Sequence, residues 1–165
     1  VVRLVQGQQV LRVRPEQLQV LVFGAFRPLA VQQVMVDHTR EQPGIREEQV
    51  QALWAEPSSD PTTPPPHSTG AAVDLTLAAP QGEPLEMGGD IDAIGPIGHP
   101  NHFADADPAS AEGRYHQRRC LLHCAMESAG LVRHPKEWWH FSWGDQLWAW
   151  SSEAPCAHYG RSAQA

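Results

Sequence analysis

The chain has 165 residues, 41% of them hydrophobic and 19% charged, enough to enclose one core and too few to divide comfortably into two. Its formal net charge of -7 argues against a general affinity for nucleic acid or an anionic membrane surface, and with no run near 18 apolar residues no membrane span is expected. Fifteen prolines and thirteen glycines predict long irregular connections, the segments on which active sites are often built. Three cysteines, Cys120, Cys124 and Cys156, do not make a disulfide framework. The helical spacing of the first two predicts small buried residues.

In chain order, residues 1–18 carry apolar Leu4, Val5, Leu11 and Leu18, with Gly7 and Pro15 interrupting, so only part of the stretch is expected to be helical. Residues 19–26, rich in Val, Leu and Phe, predict a buried strand that ends at Arg27-Pro28, a strand-to-helix corner. A helix is expected from Leu29 to about Arg40 through Val31, Val34, Met35 and His38, and a second from Arg46 to about Glu56. Five prolines in residues 57–66 form a stiff lead-in to His67. The alternation over residues 71–78 predicts a strand. Residues 80–109 read as a long Gly/Pro/Asp-rich loop. Residues 114–129 predict a helix around Leu121, Leu122, Cys124, Ala125 and Met126, stopped by Gly130. Two aromatic strands, about 138–143 and 147–150, are expected around Gly144-Asp145.

Two motifs carry chemistry. His67 and Asp74 stand seven apart, a separation that puts them on opposite faces of a continuous strand, so Gly70 must supply a bend for both to reach one point. Glu137 and His140 are three apart, which predicts Glu137 in the turn before a strand and His140 within it. Between them, Trp138 and Trp139 would pack the core and wall a water-poor pocket. His67, Asp74 and His140 then make a three-ligand set for one zinc ion, which leaves a position for water. In that reading Glu137 takes the water's proton and returns it to the leaving amine, and the fixed donors of Arg27 hold the oxyanion that develops in the transition state. Taken singly, each residue has a plainer explanation, for Arg27 a surface ion pair at a helix start and for His140 a buried core histidine.

Together, Gly24-Ala25-Phe26-Arg27-Pro28, residues 67–77, residues 87–99, the Arg118-Arg119 helix and Glu137-Trp138-Trp139-His140-Phe141 resemble the zinc D-alanyl-D-alanine dipeptidases of the VanX type, relatives of D,D-carboxypeptidases and of the hedgehog amino-terminal domain. The resemblance implies an α+β fold, a small, mostly antiparallel sheet flanked by helices, over a single domain spanning residues 1–165 that lacks part of the family's amino-terminal region. It implies hydrolysis of a small D,D-dipeptide, D-alanyl-D-alanine, in cell-wall peptide turnover or glycopeptide resistance, by a bacterial protein expected in the cytoplasm rather than the periplasm. By the same resemblance His67, Asp74 and His140 match the zinc ligands, Glu137 the base and Arg27 the transition-state arginine. Asp92, with Asp90 as the alternative, matches the aspartate that meets the substrate's ammonium. Where the family often has a serine, two residues before its first histidine, this chain has Pro65, so Ser68 or a backbone donor is expected to help hold the substrate carboxylate. The alternatives are a carboxypeptidase or endopeptidase acting on longer peptidoglycan stems and, in another class, a zinc-binding interaction domain without catalysis.

Overall fold

A computed structural model describes residues 1–162. Its centre is β2 (Ala72–Ala78), which pairs antiparallel with β1 (Gln19–Gly24) on one side and with β4 (His140–Ser142) on the other; β3 (Val132–Arg133) completes the antiparallel order β1-β2-β4-β3. As the inner strand, β2 is covered on both faces, Leu75 and Leu77 at 0% exposure and Thr76 at 3%. Its polar members are therefore buried with its apolar ones, and the sequence alternation does not translate into a wet face. β1 lies at the sheet edge, and the buried strand expected there instead leaves Val22 and Phe23 exposed.

Helix α1 (Val2–Arg12) runs through Gly7 without a break. A side chain at that position would collide with Met126 and crowd the Ala125 carbonyl, so Gly7 permits a close crossing with α4 (Ala111–Ser128). Around this crossing Leu11, Leu122, Ala125 and Met126 join Leu75, Leu77, Trp138, Trp139 and Phe141 in the hydrophobic core. α4 starts at its cap, Ser110, whose hydroxyl accepts from the Gly113 amide, and Gly130 follows its end at φ 81°. Cys124 and Cys156 are exposed and Cys120 half-buried, all three as free thiols; the buried stripe of α4 carries Arg119 instead of cysteine.

α2 (Leu29–Arg40) has the expected bounds but a different buried face. Gln32, Val36 and Thr39 turn inward, while Val31 and Val34 are exposed. The inward polar groups are satisfied: Gln32 donates to the Ala55 carbonyl and Thr39 accepts from the Trp54 indole. These bonds tie α2 to the end of α3 (Glu47–Leu53), a shorter helix than its sequence suggests. The second aromatic strand is absent; α5 (Gln146–Ser151) occupies its place. Asp145, read from sequence as a turn residue, caps α5 by accepting from the Trp148 amide. Among the described residues, no helix is long and apolar enough to cross a membrane.

The register brings the chemistry together. Asp74 stands directly opposite His140 across the β2/β4 pair and opposite Gly24 across the β2/β1 pair. A Cβ on Gly24 would lie 2.8 Å from Asp74 Oδ2, so glycine leaves the room this carboxylate occupies. The β1 register also shifts between Val22 and Gly24, the local irregularity of a bulge. Gly24→Ala is therefore expected to displace the Asp74 carboxylate and weaken metal binding about tenfold or more, by analogy with loss of a ligand-supporting contact, with the circular-dichroism spectrum retained. Metal titration of the variant checks this; unchanged affinity would mean the carboxylate has other space to occupy.

Candidate metal centre and cleft

His67 lies in the 3-10 turn Pro66–Thr69, which ends at Gly70 with φ 70°. That left-handed residue is the bend the seven-residue spacing requires. The turn is fastened to the corner after β1 by two bonds: the Arg27 amide donates to the His67 carbonyl at 3.1 Å, and His67 Nδ1 donates to the Ala25 carbonyl at 2.8 Å. A carbonyl only accepts, so the proton sits on Nδ1 and Nε2 is free to act as a ligand. This Nε2 is 3.1 Å from Asp74 Oδ2.

His140 is oriented by a relay. Its Nε2 is 3.3 Å from Ser142 Oγ, which donates at 2.7 Å to Asp145 Oδ2. Since the carboxylate accepts the serine proton, the serine oxygen accepts from Nε2, and Nδ1 is left free. It faces Asp74 Oδ1 at 3.2 Å. The two imidazoles meet nearly edge to face, with centroids 4.9 Å apart. His67, Asp74 and His140 are all buried, at 6%, 3% and 5% exposure.

These three residues can present ligand atoms within 4.8 Å of one another. Asp74 Oδ1 is buried and has no aligned hydrogen-bond donor despite its neighbours, an orphan that a cation would satisfy. Two neutral imidazoles, each held by a bond from its other nitrogen, and one carboxylate form a donor set that fits a divalent metal. In the metal-free protein burial pushes the Asp74 carboxyl up, but the His140 and His67 imidazoles, when protonated, outweigh it through hydrogen bonds and charge and hold the carboxyl well below its usual range. Asp74 is thus ionised, as a ligand must be.

Arg27 reaches the same point from the β1–α2 corner. Its Nη2 is 3.4 Å from Asp74 Oδ2, Nη1 donates to Gln32 at 3.0 Å, and the guanidinium lies 5.3 Å from the Trp54 ring centroid. It is an inward-facing group, with its side chain 12% exposed, rather than a surface ion pair. Glu137 occupies the turn before β4, as its spacing predicts, with its carboxylate 3.7 Å from His140 Nδ1 and 3.6 Å from His134 Nδ1. Burial, then the negative charges of Asp74 and Asp92, pushes Glu137 up to about 8 against a lowering by Arg27. Burial also pushes Asp92 up, helped by Asp74 and opposed by Arg27 and the histidines.

The cleft has a volume of about 190 Å³ and is lined by Arg27, His67, Asp74, Asp92, Glu137 and His140 among others. Asp92, not the exposed Asp90, faces it. Ser68 does not line it; its side chain is buried and its hydroxyl donates to the Pro65 carbonyl at 2.7 Å. Trp139 forms part of the wall, while Trp138 belongs to the core behind it. Sequence spacing did not reveal His134, Gln32 or the Ser142-Asp145 relay. Ser142 two residues after the ligand, on the same strand face, and Asp145 three residues beyond were the available signal. His134 is pushed down to about 4 by burial and by the nearby charges of His140 and Lys136, so it is neutral at pH 7.

An antiparallel sheet that converges two histidines and an aspartate, with a second carboxylate and an arginine in the same cleft, forms the candidate metal centre of a metallohydrolase. The peptidase M15 family model, described as D-ala-D-ala dipeptidase, matches residues 3–158. The chain belongs to this family of metallopeptidases. It is 45% identical over 170 residues to a D-alanyl-D-alanine dipeptidase of Synechocystis sp., a match covering 87% of this chain and 69% of that protein. It is 30% identical over 130 residues to a D-alanyl-D-alanine dipeptidase of Escherichia coli, covering 75% of this chain and 54% of that protein.

Ser142→Ala removes the acceptor that fixes His140, and metal affinity is expected to fall about 10–100-fold without loss of the fold, as measured by competition with a chelator. A second expectation concerns pH. The Glu137 carboxyl lies above its ordinary value of 4.5, so its contribution to stability is complete below that pH and is lost as pH rises toward 8. In metal-free protein, the gain in melting temperature of Glu137→Gln over the parent should therefore grow from pH 5 to pH 8. A gain that does not change across this window would remove Glu137 as its source.

Proposed function

We propose that this protein hydrolyses D-alanyl-D-alanine to two molecules of D-alanine, with zinc as the metal at His67, Asp74 and His140. The observation that carries the reading is the pairing of this buried donor set with a second carboxylate, Glu137, 3.7 Å from His140 Nδ1, and a guanidinium, Arg27, in one cleft. Zinc held by these residues supplies Lewis acidity and draws the pKa of water toward neutrality. Glu137 accepts a proton from the attacking water as its oxygen bonds to the peptide carbon. The same carboxyl then delivers that proton to the amide nitrogen as the carbon–nitrogen bond breaks, the two roles that suit a group titrating close to the working pH. Two carboxyls driven in opposite directions, Asp74 down and Glu137 up, divide the work between a ligand that stays ionised and a base that exchanges protons.

Arg27 offers the oxyanion a guanidinium already oriented by Gln32 and Trp54, so little reorganisation accompanies the charge as it develops. Asp92, which lines the same cleft, receives the substrate's free ammonium. With Ser68 committed to Pro65, a backbone donor takes the substrate carboxylate. Retention of a base and an arginine beside the ligands is what a non-catalytic zinc module would not need. Such an enzyme serves cell-wall peptide turnover or glycopeptide resistance.

The test is to load the purified protein with zinc and offer D-alanyl-D-alanine and, separately, a pentapeptide ending in the same two residues. Release of D-alanine from the dipeptide is expected, with Glu137→Gln keeping its zinc and losing about 10²–10⁴ in kcat. Cleavage of the pentapeptide alone would replace the dipeptidase reading with a carboxypeptidase, and cleavage of neither would leave a binding domain.

A further inference from the structure

Arg119 is the largest charged side chain in the core and none of the catalytic roles above uses it. It is 0% exposed, and among the described residues no carboxylate forms an ion pair with it. A buried charge without a counter-ion is costly, so its hydrogen bonds must account for its presence. Nε donates to the Met87 carbonyl at 2.8 Å and Nη1 to the His99 carbonyl at 2.8 Å. The guanidinium also lies 4.9 Å from the Phe103 ring centroid and 5.2 Å from that of Trp138, within cation–π range. Met87 and His99 are the two ends of the irregular segment that carries Asp92.

That segment needs holding. Asp92 has φ 64°, a left-handed conformation that a non-glycine residue keeps only when its surroundings over-determine it. The segment is also packed onto the catalytic turn. The Trp138 amide donates to the Gly98 carbonyl at 3.0 Å, and a Cβ on Gly98 would meet the Trp139 ring at 3.1 Å. A guanidinium can donate in two directions from one rigid plane, which an ammonium on a flexible stem cannot reproduce.

We propose that Arg119 is a positioning residue for substrate-amine recognition, closing the 87–99 segment at both ends so that Asp92 is presented to the cleft and kept in register with the Glu137–Trp139 turn. This rests on the reading of Asp92 as the ammonium acceptor. Arg119 touches neither substrate nor metal ligand; it acts through the backbone it holds.

The experiment compares zinc-loaded parent, Arg119→Lys, Asp92→Asn and the double variant, with D-alanyl-D-alanine as substrate. Arg119→Lys is expected to raise KM about tenfold, the effect of a small misplacement at a remote contact, with kcat within about threefold and zinc content unchanged. The double variant should be no worse than Asp92→Asn alone, because the clamp acts only through Asp92. Hydrogen exchange, read without turnover, should quicken at the amides of residues 88–98 in Arg119→Lys and stay unchanged in β2 and β4. Should Arg119→Lys fail to fold, Phe103→Leu, which removes only the ring beside the guanidinium, should show a smaller change of the same kind in both measurements. Unchanged KM and exchange, or a fall in kcat at constant KM, or additive losses in the double variant, would overturn the clamp. If Asp92→Asn leaves KM unchanged while exchange in residues 88–98 still quickens in Arg119→Lys, the ammonium reading fails and the structural clamp stands.

Discussion

A buried carboxylate, Asp74, is the group around which the rest of the molecule is arranged. At 3% exposure its charge would be expensive if unpaired, and the fold answers with His67, His140 and Arg27, each from a different part of the chain. Only the His67 contact joins near neighbours in sequence; His140 and Arg27 come from distant segments. The 3-10 turn, the strand β4 and the corner after β1 meet only because β2 runs between them, so the sheet and the site are one construction. Gly24 supplies the vacancy on the remaining side of the carboxylate.

The same crowding separates the two acidic groups of the cleft. Asp74 has two imidazoles and a guanidinium in reach and stays ionised; Glu137 has burial and two other carboxylates, Asp74 and Asp92, acting against its charge. Neither behaviour belongs to the residue type. A metal site also depends on what stands behind its ligands, and here the supports differ: a backbone carbonyl for His67, a serine and a capping aspartate for His140. Asp145 therefore serves the start of α5 and the orientation of His140 at once, linking helix formation to the donor geometry. The cleft's outer wall is built on the α2–α3 pair, where inward-facing Gln32 and Thr39 replace the apolar contacts their helix pattern suggests.

Several of these outcomes run against local pattern for identifiable reasons. The stretch after Gly144 is aromatic enough for a strand, yet Asp145 caps it and its residues pair with no neighbour, so it winds into α5. α2 keeps its predicted length because its periodicity and bounds are local properties; its buried face is set by α3 and Arg27, which need polar partners, and Val31 and Val34 are left outside. On α4 the inward stripe includes Arg119 because the carbonyls of a distant segment await a donor there, while Cys124 faces out.

By itself the sequence determined the ligand types, the bend at Gly70 and the placement of Glu137 before its strand, because these follow from short-range spacing and from backbone limits that act within a few residues. The resemblance in its motifs reached the family. Only the tertiary structure decided which atoms of each imidazole are free, that Ser68 turns away from the cleft while Asp92 faces it, and that Arg27 turns inward against Asp74. Ser68 and His140 are set by bonds to near neighbours, Pro65 and Ser142, that only the folded backbone brings into line, and the rest by register between segments more than forty residues apart, such as Arg27 and Asp74. Local propensity carries no information about such encounters; the hydrogen-bonded order of the strands does.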